Sequence, residues 1–466
     1  MQLQFLGATQ NVTGSSHLLE IDKHRILVDC GLYQEREFRA RNWNPFPVNP
    51  QTIDTVLLTH AHLDHCGLLP KLVKEGFKGK ILCTPPTQQI TRILLFDSAH
   101  IQEEDAEFKK RRHIREGRKG PYPEVPLYTE NEVKKVIPLF EPVEYENPVN
   151  ISKSVRVSFH DAGHILGSSM IKIKINSDDI KRTIIFSGDI GRWNKPIIRD
   201  PTVFEEADYV IMESTYGNRF HENIATTTEM LKEVVKVTEK KGGNLIIPSF
   251  ALERTQELLY YLSEFLSKNQ IPHLLTFVDS PMAIDITEVF NHYPEYFDKE
   301  MLDRIQHRDI PFYWTTLKLT RSVGESKAIN HIKASCIIIA GSGMCTGGRI
   351  KHHLVNNISR PESTILFVGY QAKGTLGREI IEGSKKVRIL GQTYPVKARI
   401  VKINGFSAHA DQNELLKWLS SFKSSLRHLF VVHGEQEVAL KFARLVRINN
   451  GWNVSVPRYL EKVALV

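Results

Sequence analysis

Residues 59–65 read Thr59-His60-Ala61-His62-Leu63-Asp64-His65, which places three imidazoles and one carboxylate within six consecutive positions. The apolar run before this stretch, residues 54–59, predicts a buried β-strand. Residues 67–73 after it predict a helix that ends near Gly76. The four polar side chains are therefore expected on a strand-to-helix loop, where they converge without disturbing either element.

These side chains have the chemistry of a metal site. Imidazole nitrogens and carboxylate oxygens are ligands that zinc prefers, and burying them uncoordinated at a strand end carries a heavy desolvation cost. The alternative is a polar loop with solvated histidines, which is the better explanation for an isolated HxH pair. The full HxHxDH pattern directly after an apolar strand favours metal binding.

The HxHxDH pattern resembles the signature of the metallo-β-lactamase fold, which binds one or two metal ions. The resemblance implies that His60 and His62 hold a first metal, and that Asp64 and His65 hold a second. It also implies that Asp29, at the end of an earlier apolar strand, supports the metal loop, because outer carboxylates fix the tautomers of metal-binding histidines. The alternative for Asp29 is an aspartate that only starts a turn.

Two later strand ends match further metal ligands of this fold. His164, in the GHILG run of residues 163–167, matches the third ligand of the first metal. His160 is a competitor by proximity, and we expect it to lie in a loop or a supporting role. Asp189 follows the apolar run 183–186 and matches the carboxylate that bridges the two metals. Each candidate ends an apolar strand, which is the layout that a site built at strand ends requires.

Residues 213–217, with the sequence ESTYG, end another strand and resemble motif A of the β-CASP group. That group contains the endonuclease subunit of the cleavage and polyadenylation specificity factor, its bacterial and archaeal relatives, RNase J and the DNA nucleases of crosslink repair. The FSAHAD run of residues 406–411 resembles motif B, and residues 428–435 resemble motif C. The match indicates the polyadenylation-factor-like subgroup of prokaryotic type.

The motifs imply a role for three more side chains. His433 is implied to complete the second metal, and His409 to stay free of metal. His409 is then implied to pair with Glu213 and to act on the leaving oxygen, because a partnered carboxylate orients an imidazole and raises its basicity. The alternative for His409 is a structural loop histidine. A histidine at motif C goes with RNA-acting members of the family, and a valine is typical of DNA-acting ones.

Residues 218–395 contain four successive strand–helix units, which predict a parallel sheet flanked by helices. Ligands bind beyond the carboxyl ends of such strands, where turns rich in glycine and serine present N–H groups to anions. The alternative is that these small residues merely allow tight turns. Similarity to the β-CASP domain, carried by GSGM…TGGR and GYQAKGTLGR, implies contacts with a nucleic-acid backbone. The implied substrate-binding residues are Arg254, Ser342, Arg349, Lys373 and Arg378.

Composition limits the class of protein. The chain has 61 Lys and Arg against 53 Asp and Glu, and the net charge of +8 favours polyanionic partners without establishing them. No apolar run reaches the roughly 20 residues of a membrane span. Five scattered cysteines and the lack of a signal sequence predict a reducing, cytoplasmic location.

Residues 87–116 predict a long helix that ends in a basic run, 109–115, followed by Arg118 and Lys119. This run is either a solvated face or an aid in attracting a phosphodiester backbone.

Together these observations predict an α/β protein with a metallo-β-lactamase αββα sandwich and an inserted β-CASP domain. We expect residues 1–208 and 396–466 to form the sandwich, and residues 209–395 to form the insertion. The resemblance implies a zinc-dependent ribonuclease that acts on single-stranded RNA, with no membrane. Two Zn²⁺ ions roughly 3.5–4 Å apart would activate a hydroxide for attack on the phosphodiester. The implied catalytic residues are Asp189, Glu213, His409 and Asp29.

Several alternatives stay open at this stage. Cleavage is expected within RNA chains, with 5′-exonuclease action as a further mode, and a homodimer is an open alternative for the oligomeric state. We expect neither a KH-like region before the first strand nor a long extension after Val466, so substrate choice is expected to come from the core domains or from partners. The competing functions are a DNA nuclease of the same family, a non-catalytic RNA-binding scaffold and a small-molecule hydrolase that acts on thioesters or lactams.

Overall fold

The computed structural model describes residues 1–117, 120, 122–177 and 181–466. Arg118 and Lys119 of the predicted basic run lie outside the described residues. The chain divides into two compact units, each with its own sheets and helices. The first unit comprises Met1–Asn194, Asp200–Phe220 and His409–Val466, and the second comprises Lys195–Arg199 and His221–Ala408.

The N-terminal part of the first unit contributes strands to two sheets, with helices between them. The strands are β1 (Gln2–Phe5), β2 (His17–Ile21), β3 (His24–Val28), β4 (Thr55–Leu57), β5 (Lys80–Cys83), β6 (Phe140–Pro142), β7 (Val149–Asn150), β8 (Val155–Asp161), β9 (Ser169–Asn176), β10 (Lys181–Phe186) and β11 (Tyr209–Met212). The helices are α1 (Leu63–Cys66), α2 (Leu69–Lys74), α3 (Pro85–Glu116) and α4 (Glu130–Val136), and 3₁₀ turns occupy Arg39–Asn42, Pro50–Thr52 and Ile137–Leu139.

The long helix predicted over residues 87–116 is confirmed as α3. Its start is defined by Thr84, whose side chain accepts a hydrogen bond from the N–H of Thr87, and by prolines in the first turn. It ends at Gly117, which has a left-handed φ of 62° and satisfies the last carbonyls.

The second unit is built on a parallel sheet, as the four strand–helix repeats predicted. Its strands are β12 (Leu245–Pro248), β13 (Leu275–Asp279), β14 (Leu317–Leu319), β15 (Cys336–Ala340), β16 (Thr364–Phe367), β17 (Lys386–Ile389), β18 (Gln392–Pro395) and β19 (Arg399–Lys402). Its helices are α5 (Ile224–Lys240), α6 (Arg254–Ser267), α7 (Pro281–His292), α8 (Lys299–Gln306), α9 (Val323–Ile329), α10 (Ile350–Asn357) and α11 (Leu376–Ile381), and a 3₁₀ turn occupies Pro294–Tyr296. Six strands pair in the order β14-β13-β15-β12-β16-β19, all parallel, and β17 and β18 form a separate antiparallel hairpin.

The C-terminal part of the chain completes both sheets of the first unit. Its elements are α12 (Gln412–Leu419), β20 (His428–Val431), α13 (Gln436–Asn450), β21 (Val454–Ser455) and β22 (Lys462–Ala464). The first sheet has the order β22-β1-β2-β3-β4-β5-β6, and the second has the order β21-β20-β11-β10-β9-β8-β7. The two segments separated by the second unit therefore form one folded body.

The first unit is a four-layer sandwich held together by three apolar cores. The central core joins the facing sides of the two sheets, where the ring centroids of Phe5 and Phe430 lie 5.2 Å apart. Helices α1 to α4 cover the outer side of the first sheet, and α12 and α13 cover the outer side of the second. Strand β9 shows the local cause, because its isoleucines face the core while its lysines face outward. The predicted α/β class and the αββα sandwich are confirmed.

Two strands lie differently from the predicted domain division at residues 208 and 395. Strand β11, placed in the insertion by that division, is fully buried between β10 and β20 in the first unit. Strand β19, placed in the sandwich, pairs in parallel with β16 of the second unit. In both cases the unit to which the strand belongs is set by the sheet whose strands it pairs with. Among the described residues, no helix combines the length and the apolar character that crossing a bilayer requires.

Candidate metal centre

The loop after β4 presents the first group of polar side chains. His60 lies in this loop, and His62 is the residue immediately before α1. Asp64 and His65 therefore lie in the first turns of a short helix rather than in the predicted loop. The helix turns successive side chains in different directions, so neighbouring residues contribute to different clusters of donor atoms.

Four side chains form a first donor set: His60, His62, His164 and Asp189. The Nε2 atom of His60 lies 3.1 Å from Nδ1 of His62, which in turn lies 3.3 Å from Nε2 of His164. Oδ2 of Asp189 lies 3.4 Å from Nε2 of His60 and 3.6 Å from Nε2 of His164. His60, His164 and Asp189 are buried, and His62 is half-buried.

A second donor set lies against the other oxygen of the same aspartate. The Nε2 atoms of His65 and His433 lie 3.1 Å apart, and Oδ2 of Asp64 lies 3.6 Å from Nε2 of His433. Oδ1 of Asp189 lies 3.3 Å from Nε2 of His65. Asp189 thus presents one carboxylate oxygen to each set, which is the arrangement expected of a bridging ligand.

The backbone before Asp189 is shaped for this position. Gly188 has a left-handed φ of 53°, and a Cβ atom there would lie 2.9 Å from Cβ of Thr59. Only glycine avoids both the strain and the contact. The turn after β10 therefore brings the Asp189 carboxylate against the histidine loop.

The donor sets fit a tetrahedral cation such as zinc. Donor atoms about 2.0–2.1 Å from a zinc ion lie about 3.3–3.4 Å from one another, and the distances within each set cluster around that value. Oδ1 of Asp189 is buried and has no hydrogen-bond partner among the described residues, so a carboxylate oxygen faces the second set without compensation. A bound metal ion would supply the missing partner.

The electrostatic environment of the first set keeps its imidazoles neutral. Burial, aided by the neighbouring imidazole of His60, lowers the pKa of His62 to about 3. Burial also lowers the pKa of His60 and holds that of His164 well below its ordinary value. These imidazoles are neutral at physiological pH, and neutral imidazole is the form that binds metals.

In the second set, the neighbouring carboxylates raise the pKa of a histidine more than burial lowers it. Burial works to lower the pKa of His65, but Asp189 and Asp29 raise it well above its ordinary value. Burial likewise opposes ionisation of Asp64 and Asp189, yet the imidazoles around them hold both pKa values below the ordinary range. A cation that binds here displaces a proton from His65, so binding at this set competes with protons.

Asp29 and Thr59 fix two of the histidine tautomers. Oδ2 of Asp29 lies 2.7 Å from Nδ1 of His65, and a carboxylate only accepts, so Nδ1 of His65 carries the proton. The Thr59 hydroxyl lies 2.9 Å from the same Asp29 oxygen and 3.0 Å from Nδ1 of His60. It donates to the carboxylate and accepts from His60. Both imidazoles are left with Nε2 directed at the donor sets.

Thr215 does the same for His433. Its hydroxyl lies 3.1 Å from the carbonyl oxygen of His433 and 3.1 Å from Nδ1 of the same residue. A carbonyl only accepts, so the hydroxyl donates to it and accepts from the Nδ1 proton. Nε2 of His433 is then the atom available to a metal. Sequence reasoning assigned no role to Thr59 or Thr215. The available signal was that Thr59 directly precedes the predicted ligand His60 and that Thr215 lies two residues after the motif glutamate Glu213.

Glu213 and His409 form a pair beside the donor sets. Nδ1 of His409 lies 3.1 and 3.2 Å from the two carboxylate oxygens of Glu213, and Nε2 lies 3.9 Å from Oδ2 of Asp189. Burial works to lower the pKa of His409, but Glu213 and Asp189 outweigh it and raise the pKa to about 9. The imidazole is held protonated with Nε2 directed toward the cluster, as a general acid requires.

Two other histidines lie outside the clusters. His160 lies on β8, where Nε2 is 2.8 Å from the hydroxyl of Ser158 and the ring packs against Phe204. His17 lies on β2 and packs edge-on against Phe5. Neither belongs to the donor groups found among the described residues.

The predicted substrate-binding residues all lie in the second unit, and most are engaged with other groups. Arg254 pairs with Glu257 at 2.6 Å, Arg349 with buried Asp279 at 2.7 Å, and Arg378 with Glu382 at 2.6 Å. The Ser342 hydroxyl accepts from the N–H groups of Thr346 and Gly347. Lys373 is exposed and has no ion pair within the described part of the chain. Their role toward substrate stays a prediction.

Three domain families match the chain in the order that the motifs indicate. Residues 18–194 match the metallo-beta-lactamase superfamily domain, residues 255–380 match the Beta-Casp domain, and residues 393–457 match the Zn-dependent metallo-hydrolase RNA specificity domain. The fold and the site define a metal-dependent hydrolase of the metallo-β-lactamase superfamily.

Three similar proteins can be aligned with nearly the whole chain. It is 36% identical over 463 residues to a ribonuclease from Thermus thermophilus, covering 99% of this chain and 100% of that protein. It is 32% identical to the transcription termination factor FttA of Methanocaldococcus jannaschii, covering 96% of this chain and 69% of that protein. An RNase J-like protein of the same archaeon is 29% identical over 95% of both chains. The chain belongs to the β-CASP family of metallo-β-lactamase-fold proteins.

A solved structure shares the fold at low sequence identity. The chain resembles a protein of unknown function from Enterococcus faecalis V583 with a TM-score of 0.56 and 10% identity. The similarity covers 100% of this chain and 99% of that protein. It supports the fold alone.

Proposed function

We propose that the protein is a ribonuclease that hydrolyses phosphodiester bonds of RNA with two Zn²⁺ ions. The observation that carries the proposal is the pair of donor sets that share Asp189, with the protonated His409 beside them. The names of the Thermus thermophilus ribonuclease and of the RNA specificity domain support RNA as the substrate. The seven proposed ligands are His60, His62, Asp64, His65, His164, Asp189 and His433.

The distribution of charge supports a polyanionic substrate. Residues 326–410 contain 13 basic and 3 acidic side chains, whereas the rest of the chain contains 48 basic and 50 acidic ones. Residues 326–410 thus carry a net charge of +10 against −2 for the rest of the chain, and all but the last two of them lie in the second unit. Clustered cations are the electrostatic mark of nucleic-acid binding, and a uniform excess would not be.

The chemistry divides between the metals and the chain. Two bound zinc ions supply positive charge for the scissile phosphodiester and acidify water. Asp189 fixes both donor sets in one geometry, and Asp29 with Thr59 keeps two of the imidazoles in the metal-binding tautomer. Glu213 accepts a hydrogen bond from the Nδ1–H group of His409. The proton on Nε2 of His409 is therefore the one delivered to the departing oxygen. No covalent attachment of RNA to the protein is needed.

We propose single-stranded RNA as the substrate and cleavage within the chain as the main mode, with 5′-exonuclease action as a further mode. A homodimer is part of the same proposal, as is a cytoplasmic location. The five cysteines support a reducing compartment, because all five are buried and free.

The test uses single-stranded RNA labelled at the 5′ or the 3′ end, with and without a chelator, and single-stranded DNA in parallel. We expect RNA fragments of intermediate length that disappear with the chelator and return with Zn²⁺. Cleavage of DNA alone would favour the DNA nuclease, and binding without cleavage would favour the scaffold. Turnover of a generic thioester without RNA cleavage would favour the small-molecule hydrolase. Metal content measured in the same samples distinguishes two ions from one.

A further inference from the structure

The hairpin β17–β18 and the residues beside it carry an unbalanced positive charge. Residues 383–410 contain six Lys and Arg and no Asp or Glu. Four of these cations, Lys385, Lys386, Arg388 and Lys397, lie on the hairpin or next to its ends, and all four are exposed. We call residues 385–397 the basic hairpin.

The pairing of the two strands sorts its side chains by face. Val387 and Ile389 are buried in the apolar core of the second unit. Lys386 and Arg388 therefore project from the opposite face, where their partners across the hairpin are Pro395 and Thr393. Because residues two apart on a strand share a face, the two cations stand side by side.

The hairpin is a defined scaffold for these charges. Its two strands are joined by Leu390 and Gly391, which both have positive φ, 49° and 87°, as a tight two-residue turn requires. The N–H of Val396 donates to the carbonyl of Lys385 at 2.9 Å and continues the pairing beyond the strands. The cations are thus presented by paired backbone rather than by a loose loop.

Nothing acidic offsets these charges in the described parts of the chain. None of the four cations forms an ion pair there, although neighbouring Arg378 pairs with Glu382. Arg388 makes a hydrogen bond to the carbonyl of Gly391 at 3.3 Å, which leaves its charge uncompensated. Exposed cations of one sign repel one another, and binding a polyanion relieves that repulsion.

We propose that the outer face of the basic hairpin binds the phosphodiester backbone of the RNA substrate. This inference rests on the proposed function. Ammonium and guanidinium groups bind phosphates regardless of sequence, and the planar fork of Arg388 suits two phosphate oxygens. The hairpin then adds affinity and holds longer RNA, without reading bases.

The size of the effect follows from counterion release. Each phosphate contact on a single strand contributes about 0.7 to the slope of log affinity against log salt concentration. One contact therefore raises the RNA affinity about fivefold at 0.1 M salt relative to 1 M salt. Losing two contacts should therefore cost about 25-fold at 0.1 M salt and lower the slope by about 1.4.

The experiment measures RNA binding by the full chain with Lys386→Gln and Arg388→Gln combined, in a background of Asp189→Ala that prevents cleavage. The control is Lys240→Gln with Lys241→Gln, which removes the same charge from an exposed site at the end of α5. The probes are fluorescent single-stranded RNAs of two lengths, titrated over a range of salt. We expect the hairpin variant to lose about 25-fold in affinity for the longer RNA at 0.1 M salt, and the control variant to lose much less.

Failure of this proposal is distinguishable from failure of the proposed function. If the wild-type chain cleaves RNA but the hairpin variant keeps the affinity and salt slope of the control, the hairpin proposal is wrong and the nuclease proposal stands. If the wild-type chain neither binds nor cleaves RNA, the proposed function fails first. Equal thermal unfolding of both variants excludes misfolding, because the substituted side chains face solvent.

Discussion

The metal centre and the basic hairpin concentrate charge in opposite ways. Asp189 is 2% exposed and lies between imidazoles from four separate segments, so each polar atom has a fixed direction. Lys386 and Arg388 are exposed, and the Arg388 guanidinium donates to the carbonyl of Gly391 at 3.3 Å. A buried group acts in a low dielectric and is nearly irreplaceable, whereas a solvated cation is screened and shares its task with neighbours. Substitutions in the two regions should therefore differ in effect by orders of magnitude.

Asp189→Ala should have the largest effect, because it removes a donor from both sets. Metal ions supply several kcal/mol of transition-state stabilisation, and each 1.4 kcal/mol is tenfold, so RNA cleavage should fall by about a thousandfold or more. Metal content should fall with it, as measured by elemental analysis. Asp303→Ala, an exposed aspartate of α8, is the matched control. Retained activity in Asp189→Ala would overturn the site assignment.

His409→Ala should reduce turnover by about 10²- to 10⁴-fold, because it removes a general acid. Its imidazole is not a proposed ligand, so the ratio of bound metal to protein should stay that of the wild type. Single-turnover cleavage and metal content measured on one sample separate the two effects. Loss of metal together with activity would assign His409 to the metal site instead.

Thr215→Val should weaken metal binding at the second donor set by about 10- to 100-fold, as loss of outer partners of metal ligands does. The substitution leaves Nδ1 of His433 without its acceptor, so the tautomer is no longer fixed. Thr215→Ser keeps the hydroxyl and should restore the affinity. Competition with a chromophoric chelator measures both variants. Equal affinity in Val and Ser variants would show that the hydroxyl has no such role.

Glu213→Gln should move the alkaline limb of the pH–rate profile to lower pH. His409 acts in its protonated form, so the rate falls as pH rises through its pKa. The Glu213 carboxylate raises that pKa, and an amide in its place removes the negative charge. The measurement is kcat against pH for both enzymes. An unmoved limb would mean that another group limits the rate at high pH.

The smallest effect is expected in the basic run at the end of α3. Residues 100–116 contain five basic and five acidic side chains, and Arg111 and Arg112 pair with Glu107 and Glu116 at 2.6 and 2.9 Å. Lys110→Gln combined with Arg115→Gln should change RNA affinity by less than about threefold, because nearby carboxylates already offset the charge. The salt titration designed for the hairpin applies unchanged. A loss as large as that of the hairpin variant would remove the distinction between balanced and unbalanced cations.

The proximity of the donor side chains could be predicted from the sequence because they occur in motifs at strand ends. The structure brings together all seven predicted ligands, and it places Glu213 against His409 as the motifs implied. Thr59 and Thr215 were missed because a threonine beside a ligand is common, and its role depends on the direction of one hydroxyl. That direction is set by Asp29 and by a main-chain carbonyl, which only the folded chain brings near.

The second unit shows where reading the sequence reaches its limit. Its parallel sheet follows from repeated apolar runs, but edge strands β14 and β19 are short and partly polar, so their pairing is not visible in the sequence. Arg349 is predicted to face substrate because it follows a glycine-rich turn, and the sequence does not show that it also contacts buried Asp279. A basic residue in a sequence shows neither its carboxylate partner nor its exposure. The same limit applies to the run at 109–115, where the sequence does not show that Arg111 and Arg112 pair with Glu107 and Glu116.

The placement of His433 on the turn after β20 has a consequence for synthesis of the protein. All four side chains of the first donor set have been synthesised once the chain reaches residue 189. The second set still lacks His433 at that point, and the proposed acid His409 is also missing, because both lie in the last segment of the chain. Strands β20 and β21 must then pair with a sheet whose other strands were made some 200 residues earlier. A chain that stops before residue 409 therefore contains all four side chains of the first donor set but lacks both His433 and the proposed acid His409.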